Sequence, residues 1–163
     1  MTAAVLVTVN LPLVRLLPSA EVSRRAWPRH LTVLPNHAVP EAEVLPAVVA
    51  AVRAVAAGTR PIEATVRGRA LFGPSRDVPV ALVDRTPALA DLHARLVDAV
   101  LALGAQPEAP AHLLDDWWPH VTDTAAGAVE QGAVLRLDRI AVADLRGPTA
   151  VVLAVEALTD PQD

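Results

Sequence analysis

The chain has 163 residues, 53% of them apolar and 20% charged, and it contains no cysteine. This composition is typical of one folded domain over residues 1–163, and it excludes disulfides, thiolate metal sites and cysteine nucleophiles. The formal net charge of −4 argues against a broad basic face that coats long nucleic acid. All 14 basic residues are arginine, the better bidentate partner for phosphate.

The first quarter of the chain predicts two strands. A Val-rich run at Ala3–Leu11 indicates a buried strand ended by Pro12, and a second strand is expected at Arg29–Pro35, with the proline as its end. The segment Leu11–Trp27 fits a short helix followed by a loop.

Two long helices follow from apolar residues at helical spacing. The first is predicted over Pro40–Gly58, with a start that Pro46 can displace beyond Pro40. The second, over Thr86–Gly104, is the clearest, because Thr86 is placed to cap it and Pro87 stands at the first helical position.

The remaining patterns indicate strands. Two are expected at Arg60–Phe72 and Asp77–Asp84, and the segment Ala105–Pro119 is predicted to be a loop. A short strand then begins at His120, and two more follow at Val134–Leu145 and Thr149–Leu158. This order predicts an α+β protein with two similar halves.

The N-terminal run does not fit a secretory signal, because it lacks a basic start and is interrupted by Asn10, Pro12 and Arg15. No apolar stretch reaches membrane-spanning length without charge or proline. We therefore expect a cytoplasmic protein without a membrane partner. The Arg-, Ala-, Val- and Pro-rich composition indicates a GC-rich bacterial genome.

One short phrase occurs twice in the chain. His-Leu-Thr begins at His30 and His-Val-Thr at His120, and each histidine follows a tryptophan by three residues, Trp27 or Trp117. In a strand, each phrase presents its histidine and threonine on one face and its central apolar residue on the other. The matching halves predict that both phrases face one cleft.

Two histidines and two threonines beside one phosphodiester can provide acid–base catalysis and hydrogen bonds to the phosphate. One imidazole can act as base and the other as acid near neutral pH, and two hydroxyls can donate hydrogen bonds to the phosphate oxygens. We predict His30, Thr32, His120 and Thr122 as the catalytic residues, with no metal and no cofactor.

These phrases resemble the two H-x-[ST] motifs of the 2H phosphoesterase superfamily, which includes bacterial 2′-5′ RNA ligases and cyclic phosphodiesterases. The opening strand, the pair Val66–Val83 and the second helix also resemble that family in order, over nearly the whole chain. The resemblance implies a two-lobed, pseudo-symmetric fold of antiparallel sheets flanked by helices, acting at 2′,3′-cyclic phosphates or 2′-5′ phosphodiesters of RNA ends or small nucleotides. It indicates His30 as acid and His120 as base, roles that the residues themselves leave open.

Further residues are candidates for substrate binding. Trp117 and Trp118 can stack on a base, with packing as the alternative, and Trp27 is expected to pack. Arg67 and Arg69, which alternation places on one strand face, are candidate phosphate or RNA contacts, with a solvated face as the alternative. Arg29 and Arg76 could also ring the cleft, whereas His37, His93 and His112 are expected to be bystanders, His93 on an exposed helix face.

Three points stay open at this stage. Asp123 stands where the family usually has an aliphatic residue, so the strand must end or bulge there, or the carboxylate must be solvated at the strand end. The cluster of His112, Asp115, Asp116 and His120 offers metal ligands but matches no standard zinc spacing. The chain, expected to be a monomer, could instead be a non-catalytic RNA- or nucleotide-binding module, or a 2H enzyme for a non-RNA cyclic phosphate.

Overall fold

A computed structural model describes residues 2–10, 21–23, 28–125, 127–145 and 147–162. Within these ranges nine strands form one antiparallel sheet, and the sequence predicted seven of them. The prediction for Leu11–Trp27 lies outside the described residues except for Glu21–Ser23, which forms a strand. The strands are β1 (Thr2–Asn10), β2 (Glu21–Ser23), β3 (His30–Val39), β4 (Ile62–Phe72), β5 (Val78–Val83), β6 (Gln106–Pro107), β7 (His120–Thr122), β8 (Val134–Asp144) and β9 (Thr149–Ala157).

The strand order is β1-β3-β7-β5-β4-β8-β9-β2, with β6 paired to β3 and a further pairing of β1 with β8. The long strand β8 connects two parts of the sheet, since its residues 134–137 pair with β4 and its residues 137–144 pair with β1. The α+β class with an antiparallel sheet is therefore confirmed. This order makes β3 and β7, the strands with the two repeated phrases, direct neighbours.

The predicted end of the second strand at Pro35 is wrong. Strand β3 continues to Val39, and its register with β1 slips next to the proline, since Leu6 pairs with Leu34 but Ala4 pairs with His37. Proline has no N–H for the ladder, and a register irregularity is where a strand tolerates it.

Both predicted helices are present, and they pack against each other. Helix α1 spans Leu45–Ala57 after a 3₁₀ turn, so it starts later than Pro40, with Pro46 in its first turn. Helix α2 spans Pro87–Leu101, and the N–H of Leu89 donates to the Thr86 hydroxyl over 3.2 Å, which confirms the cap. No helix within the described ranges is long and apolar enough to cross a membrane.

The main core lies between the helices and one face of the sheet. Leu31, Val33 and Val121 of β3 and β7 are fully buried there together with the apolar stripe of α2. Burial of about 25 cal/mol per Å² of apolar surface fixes which face of these strands points inward. The alternate residues of β3 and β7 consequently stand on the face turned away from α2.

Candidate functional site

The two repeated phrases lie side by side on β3 and β7. Leu31 pairs with Val121 across the antiparallel ladder, and extending this register by one residue places His30 opposite Thr122 and Thr32 opposite His120. Residues opposite each other point to the same face, about 5 Å apart, and the two histidines are diagonal neighbours at roughly 7–8 Å. The arrangement is a small two-fold cluster of two imidazoles and two hydroxyls.

Each histidine of the cluster is held by a carbonyl two residues before it. His30 Nδ1 lies 2.7 Å from the Pro28 oxygen, and His120 Nδ1 lies 2.8 Å from the Trp118 oxygen. Because a carbonyl only accepts, Nδ1 must carry the proton in both rings. Nε2 is therefore the atom of each ring suited to exchange a proton with a substrate.

Burial lowers the pKa of both imidazoles from their ordinary value of about 6.5. The hydrogen bond to the preceding carbonyl opposes this shift in each ring, and for His30 the neighbouring His120 lowers the pKa further. The two rings therefore interact electrostatically, and their protonation is coupled.

A cavity of about 1000 Å³ opens next to Thr32 and His120, in the size range of small-molecule sites. It continues past the far part of β3, at Pro35 and Asn36, toward the segment 108–118. His30 and Thr122 stand one row further along the same sheet face, outside the lining that the described residues form. The cavity thus extends from one side of the histidine–threonine cluster.

A family model described as the 2′-5′ RNA ligase superfamily matches residues 15–159. The chain belongs to this superfamily.

Solved structures share the fold at low sequence identity. TT0787 of Thermus thermophilus has a TM-score of 0.63 and 21% identity, with 98% of this chain and 99% of that chain covered. Escherichia coli LigT complexed with 3′-AMP has a TM-score of 0.61 and 17% identity, over 98% and 99% of the two chains. Escherichia coli LigT complexed with NADP⁺ has a TM-score of 0.60 and 18% identity, over 98% of each chain. No curated protein sequence matches significantly.

Trp118 and Arg67 form a pair at the edge of the cavity. Trp118 lines the cavity with 54% of its surface exposed, and the Arg67 guanidinium carbon lies 5.7 Å from the centre of its ring. A cation at this distance is attracted to the aromatic face. Both residues were predicted for substrate binding, and that role stays a prediction.

Phe72 and Arg76 also belong to the cavity wall. The Phe72 ring meets the His120 ring edge-on, with centroids 4.7 Å apart and an angle of 67°. Sequence reasoning missed Phe72, although the only phenylalanine of the chain at the end of a predicted strand was a signal. Arg76 lies in the turn between β4 and β5, and its φ of 52° is in the left-handed region, outside strand geometry.

Trp117 lines the cavity but is buried, so packing, the alternative to base stacking, describes its position. It is 3% exposed, and its ring stacks on His93 with centroids 4.2 Å apart and an angle of 7°. One face of the indole is therefore occupied within the protein, and base stacking by Trp118 stays a prediction. His93 itself is fully buried rather than exposed, and its spacing from Leu89 and Leu96 on the apolar stripe was the signal for this.

Arg67 and Arg69 do not share a face, because β4 has a bulge between Val66 and Gly68. Arg69 stands opposite the fully buried Ala81, so its side chain leaves the sheet on the face away from His120. It forms an ion pair with Asp123 and donates to the Val129 oxygen over 3.3 Å. The prediction that Arg69 shares a strand face with Arg67 is therefore wrong.

Asp123 directly follows the second motif, where the sequence required the strand to end or bulge or the carboxylate to be solvated. The structure shows that the strand ends and that the carboxylate forms this ion pair. Strand β7 ends at Thr122, and the Asp123 N–H donates to the Pro79 oxygen over 3.0 Å. One carboxylate oxygen meets Arg69, and the other is buried without a hydrogen-bond partner among the described residues. The pair holds the end of β7 against β4 and β5.

The alternative metal cluster is not assembled. His112 and Asp116 line the cavity together with His120, but the described residues contain no group of three or more His, Asp or Glu side chains that could hold a metal ion. The Asp115 side chain instead lies 3.6 Å from the Arg85 guanidinium.

Proposed function

We propose that this protein is a metal-independent phosphoesterase that acts on 2′,3′-cyclic phosphate or 2′-5′ phosphodiester linkages of RNA ends or small nucleotides. The observation that carries the proposal is the antiparallel pairing of the two H-x-T motifs at Leu31 and Val121, which gathers two imidazoles and two hydroxyls on one sheet face. Membership of the 2′-5′ RNA ligase superfamily supports the same chemistry.

The two imidazoles divide the proton transfers. For a 2′,3′-cyclic phosphate, one neutral ring accepts a proton from water as the water oxygen attacks phosphorus, and the other, protonated ring donates a proton to the departing ribose oxygen. The products are a ribose hydroxyl and a phosphomonoester. The carbonyls of Pro28 and Trp118 hold the two rings so that Nε2 performs each transfer.

The two hydroxyls stabilise the phosphate. Thr32 stands opposite His120, and Thr122 stands opposite His30, so each phosphate oxygen between the rings has a hydroxyl donor beside it. Because the hydroxyls are in place before the reaction, their hydrogen bonds become stronger as negative charge develops on the phosphate oxygens.

The nucleoside part of the substrate fits the cavity beside Thr32 and His120. Its exposed aromatic wall, Trp118, offers a face for base stacking, while Arg67 adds positive charge beside it. Escherichia coli LigT has been captured with 3′-AMP, ATP and NADP⁺, which supports a nucleotide-sized ligand for this fold.

Turnover of cyclic nucleotides tests the proposal directly. We expect hydrolysis of nucleoside 2′,3′-cyclic phosphates or of 2′-5′ dinucleotides, undiminished by a chelator, because the proposed steps use only imidazole and hydroxyl groups. The measurement is product identification by ³¹P NMR over a panel of cyclic nucleotides, 2′-5′ dinucleotides and RNA ends. Nucleotide binding without turnover would instead identify a binding module, and activity that a chelator abolishes and zinc restores would contradict the two-histidine scheme.

Substitution of Trp118 tests the assignment of the cavity. Trp118→Ala should raise KM for a cyclic nucleotide roughly 5- to 150-fold, the equivalent of about 1–3 kcal/mol of stacking, and Trp118→Phe should raise it less. The backbone carbonyl that binds His120 is retained in both variants. Ribose 2′,3′-cyclic phosphate, which has no base, is the matched control substrate, and an equal loss for it would show that Trp118 does not contact a base.

A further inference from the structure

His93 is a buried histidine of α2 whose two ring nitrogens both have partners. Its Nδ1 lies 2.7 Å from the Val33 oxygen, and its Nε2 accepts the Leu114 N–H over 3.0 Å. A carbonyl only accepts and an N–H only donates, so the ring is held neutral with its proton on Nδ1. No other protonation state of His93 satisfies both partners.

The two partners of His93 lead to the two H-x-T motifs. Val33 follows Thr32 directly on β3. Leu114 begins the turn Leu114–Asp116, which runs into Trp117 and then Trp118, and the Trp118 oxygen accepts from His120 Nδ1. The stack of Trp117 on His93 adds a second contact to the same segment. The imidazole therefore connects the backbone beside one motif to the backbone that orients the histidine of the other.

Arg85 holds the same turn from its carbonyl side. Its guanidinium donates to the Leu114 oxygen over 2.6 Å and to the Asp115 oxygen over 3.1 Å. Leu114 has a φ of 54°, a left-handed conformation that is costly for a residue with a side chain and needs support from its surroundings. With its N–H bonded to His93 and its oxygen bonded to Arg85, the Leu114 residue has that support.

We infer that His93 is a positioning residue for the reaction: it fixes the segment 114–118 against β3, and through the Trp118 carbonyl it sets the orientation of His120 relative to Thr32. The effect on catalysis rests on the proposed function, but the effect on the His120 ring does not. A ring that loses its carbonyl partner can exchange tautomers and rotate, and a misplacement of about 1 Å can cost about 100-fold in rate.

The experiment compares three buried-site variants in the full chain. His93→Leu removes both hydrogen bonds, His93→Gln keeps an acceptor for the Leu114 N–H, and Leu96→Ala weakens the same helix without touching the bridge. The first readout is the ¹⁵N NMR spectrum of the His120 ring, which reports its tautomer and titration without substrate. The second is kcat and KM for a cyclic nucleotide.

We expect His93→Leu to shift the His120 ring from the Nδ1–H tautomer toward a mixture, and to lower kcat roughly 10- to 100-fold with a smaller change in KM. His93→Gln should restore most of both properties, and Leu96→Ala should leave both unchanged below its melting temperature. A wild-type-like His120 spectrum in folded His93→Leu would overturn the inference, as would equal effects of Leu96→Ala. If His93→Leu does not fold, His93→Phe, which keeps an aromatic ring for the stack on Trp117 but removes both hydrogen bonds, decides the question by the same two readouts.

Failure of the inference and failure of the proposed function remain distinguishable. A wild-type protein that does not turn over cyclic nucleotides would contradict the proposed function, while the NMR comparison would still test His93. Conversely, normal turnover in folded His93→Leu would leave the phosphoesterase proposal intact and remove His93 from it.

Discussion

His30→Ala and His120→Ala should each lower kcat/KM for a 2′,3′-cyclic nucleotide about 10²- to 10⁴-fold. This is the range for loss of one general acid or base, and the hydrogen-bonded Nδ1 of each ring indicates that Nε2 is the group lost. The double variant should lose little more than a single one, because an acid and a base that act in one step are not additive. Steady-state kinetics on variants that circular dichroism shows to be folded provide the measurement.

The threonine variants provide a comparison for the loss of kcat/KM in the histidine variants. Thr32→Ala and Thr122→Ala should reduce kcat/KM less than either histidine variant, because each removes one hydrogen bond and no proton transfer. Thr149→Ala on β9 is the matched control, since β9 pairs with β2 and β8 rather than with the strands of the motifs. Near-normal turnover in either histidine variant would refute the two-histidine mechanism.

The pH dependence of kcat/KM shows which histidine acts as the acid and which as the base. The kcat/KM profile should be bell-shaped, because one ring must be neutral and the other protonated in the free enzyme. Burial lowers the pKa of both rings, so the maximum should lie below about pH 6.5. The limb that disappears in each alanine variant identifies which histidine is the base and which is the acid.

Local patterns predicted the composition of the candidate site, and the two similar halves predicted that both phrases face one cleft, but the strand register that joins them could not be predicted. Alternation along a strand predicted that His30 and Thr32 share a face, and this holds because Leu31 and Val33 are buried on the other. The register that brings Leu31 opposite Val121 joins distant parts of the chain and depends on the packing of the whole sheet. No local rule encodes it.

Backbone irregularities and an irregular segment explain the positions of Arg67, Arg69 and Trp117. Regular alternation would place Arg67 and Arg69 on the same face of β4, but a one-residue bulge places their side chains on different faces. Trp117 and Trp118 are adjacent in an irregular segment, so periodicity could not tell which of them faces the core. Only the buried partner, His93, decides that Trp117 packs inward and Trp118 stays exposed.

The departure at Asp123 shows how a local conflict is resolved by tertiary structure. An aspartate directly after a strand conflicts with the hydrophobic pattern of the inward face. The conflict is resolved because β7 ends at Thr122 and Arg69 of β4 forms an ion pair with Asp123. The arginine is thereby engaged away from the cavity, whereas Arg76 lines the cavity and Arg67 lies against Trp118.

The second large effect we expect is a loss of stability between about pH 7 and pH 5. Burial lowers the pKa of His30, His37, His93 and His120, so in this range the unfolded chain binds protons that the folded chain does not. The stability from these groups is present above the unfolded pKa of about 6.5 and is lost as the pH falls below it. Each such histidine contributes a slope of up to about 1.4 kcal/mol per pH unit.

Two of these histidines should dominate the slope. His37 and His93 are 1% and 0% exposed, and His37 Nε2 has no hydrogen-bond partner in the described part of the chain, so burial lowers the pKa of His37 although the Pro35 oxygen and Glu108 oppose the shift. Protonation of His93 would also break its bond from the Leu114 N–H, because the protonated Nε2 can no longer accept. Acid should therefore loosen the segment 114–118 before it unfolds the domain.

Urea unfolding at several pH values measures the slope. His93→Gln should flatten the dependence of the unfolding free energy on pH between 5 and 7 by about the share of one histidine, because an amide does not titrate there. Leu96→Ala removes no titratable group and is the control that should lower the free energy of unfolding without changing its slope. A free energy of unfolding that does not change between pH 7 and pH 5 would show that the buried rings are protonated as readily in the fold as in the unfolded chain, and the neutral bridge at His93 would have to be abandoned.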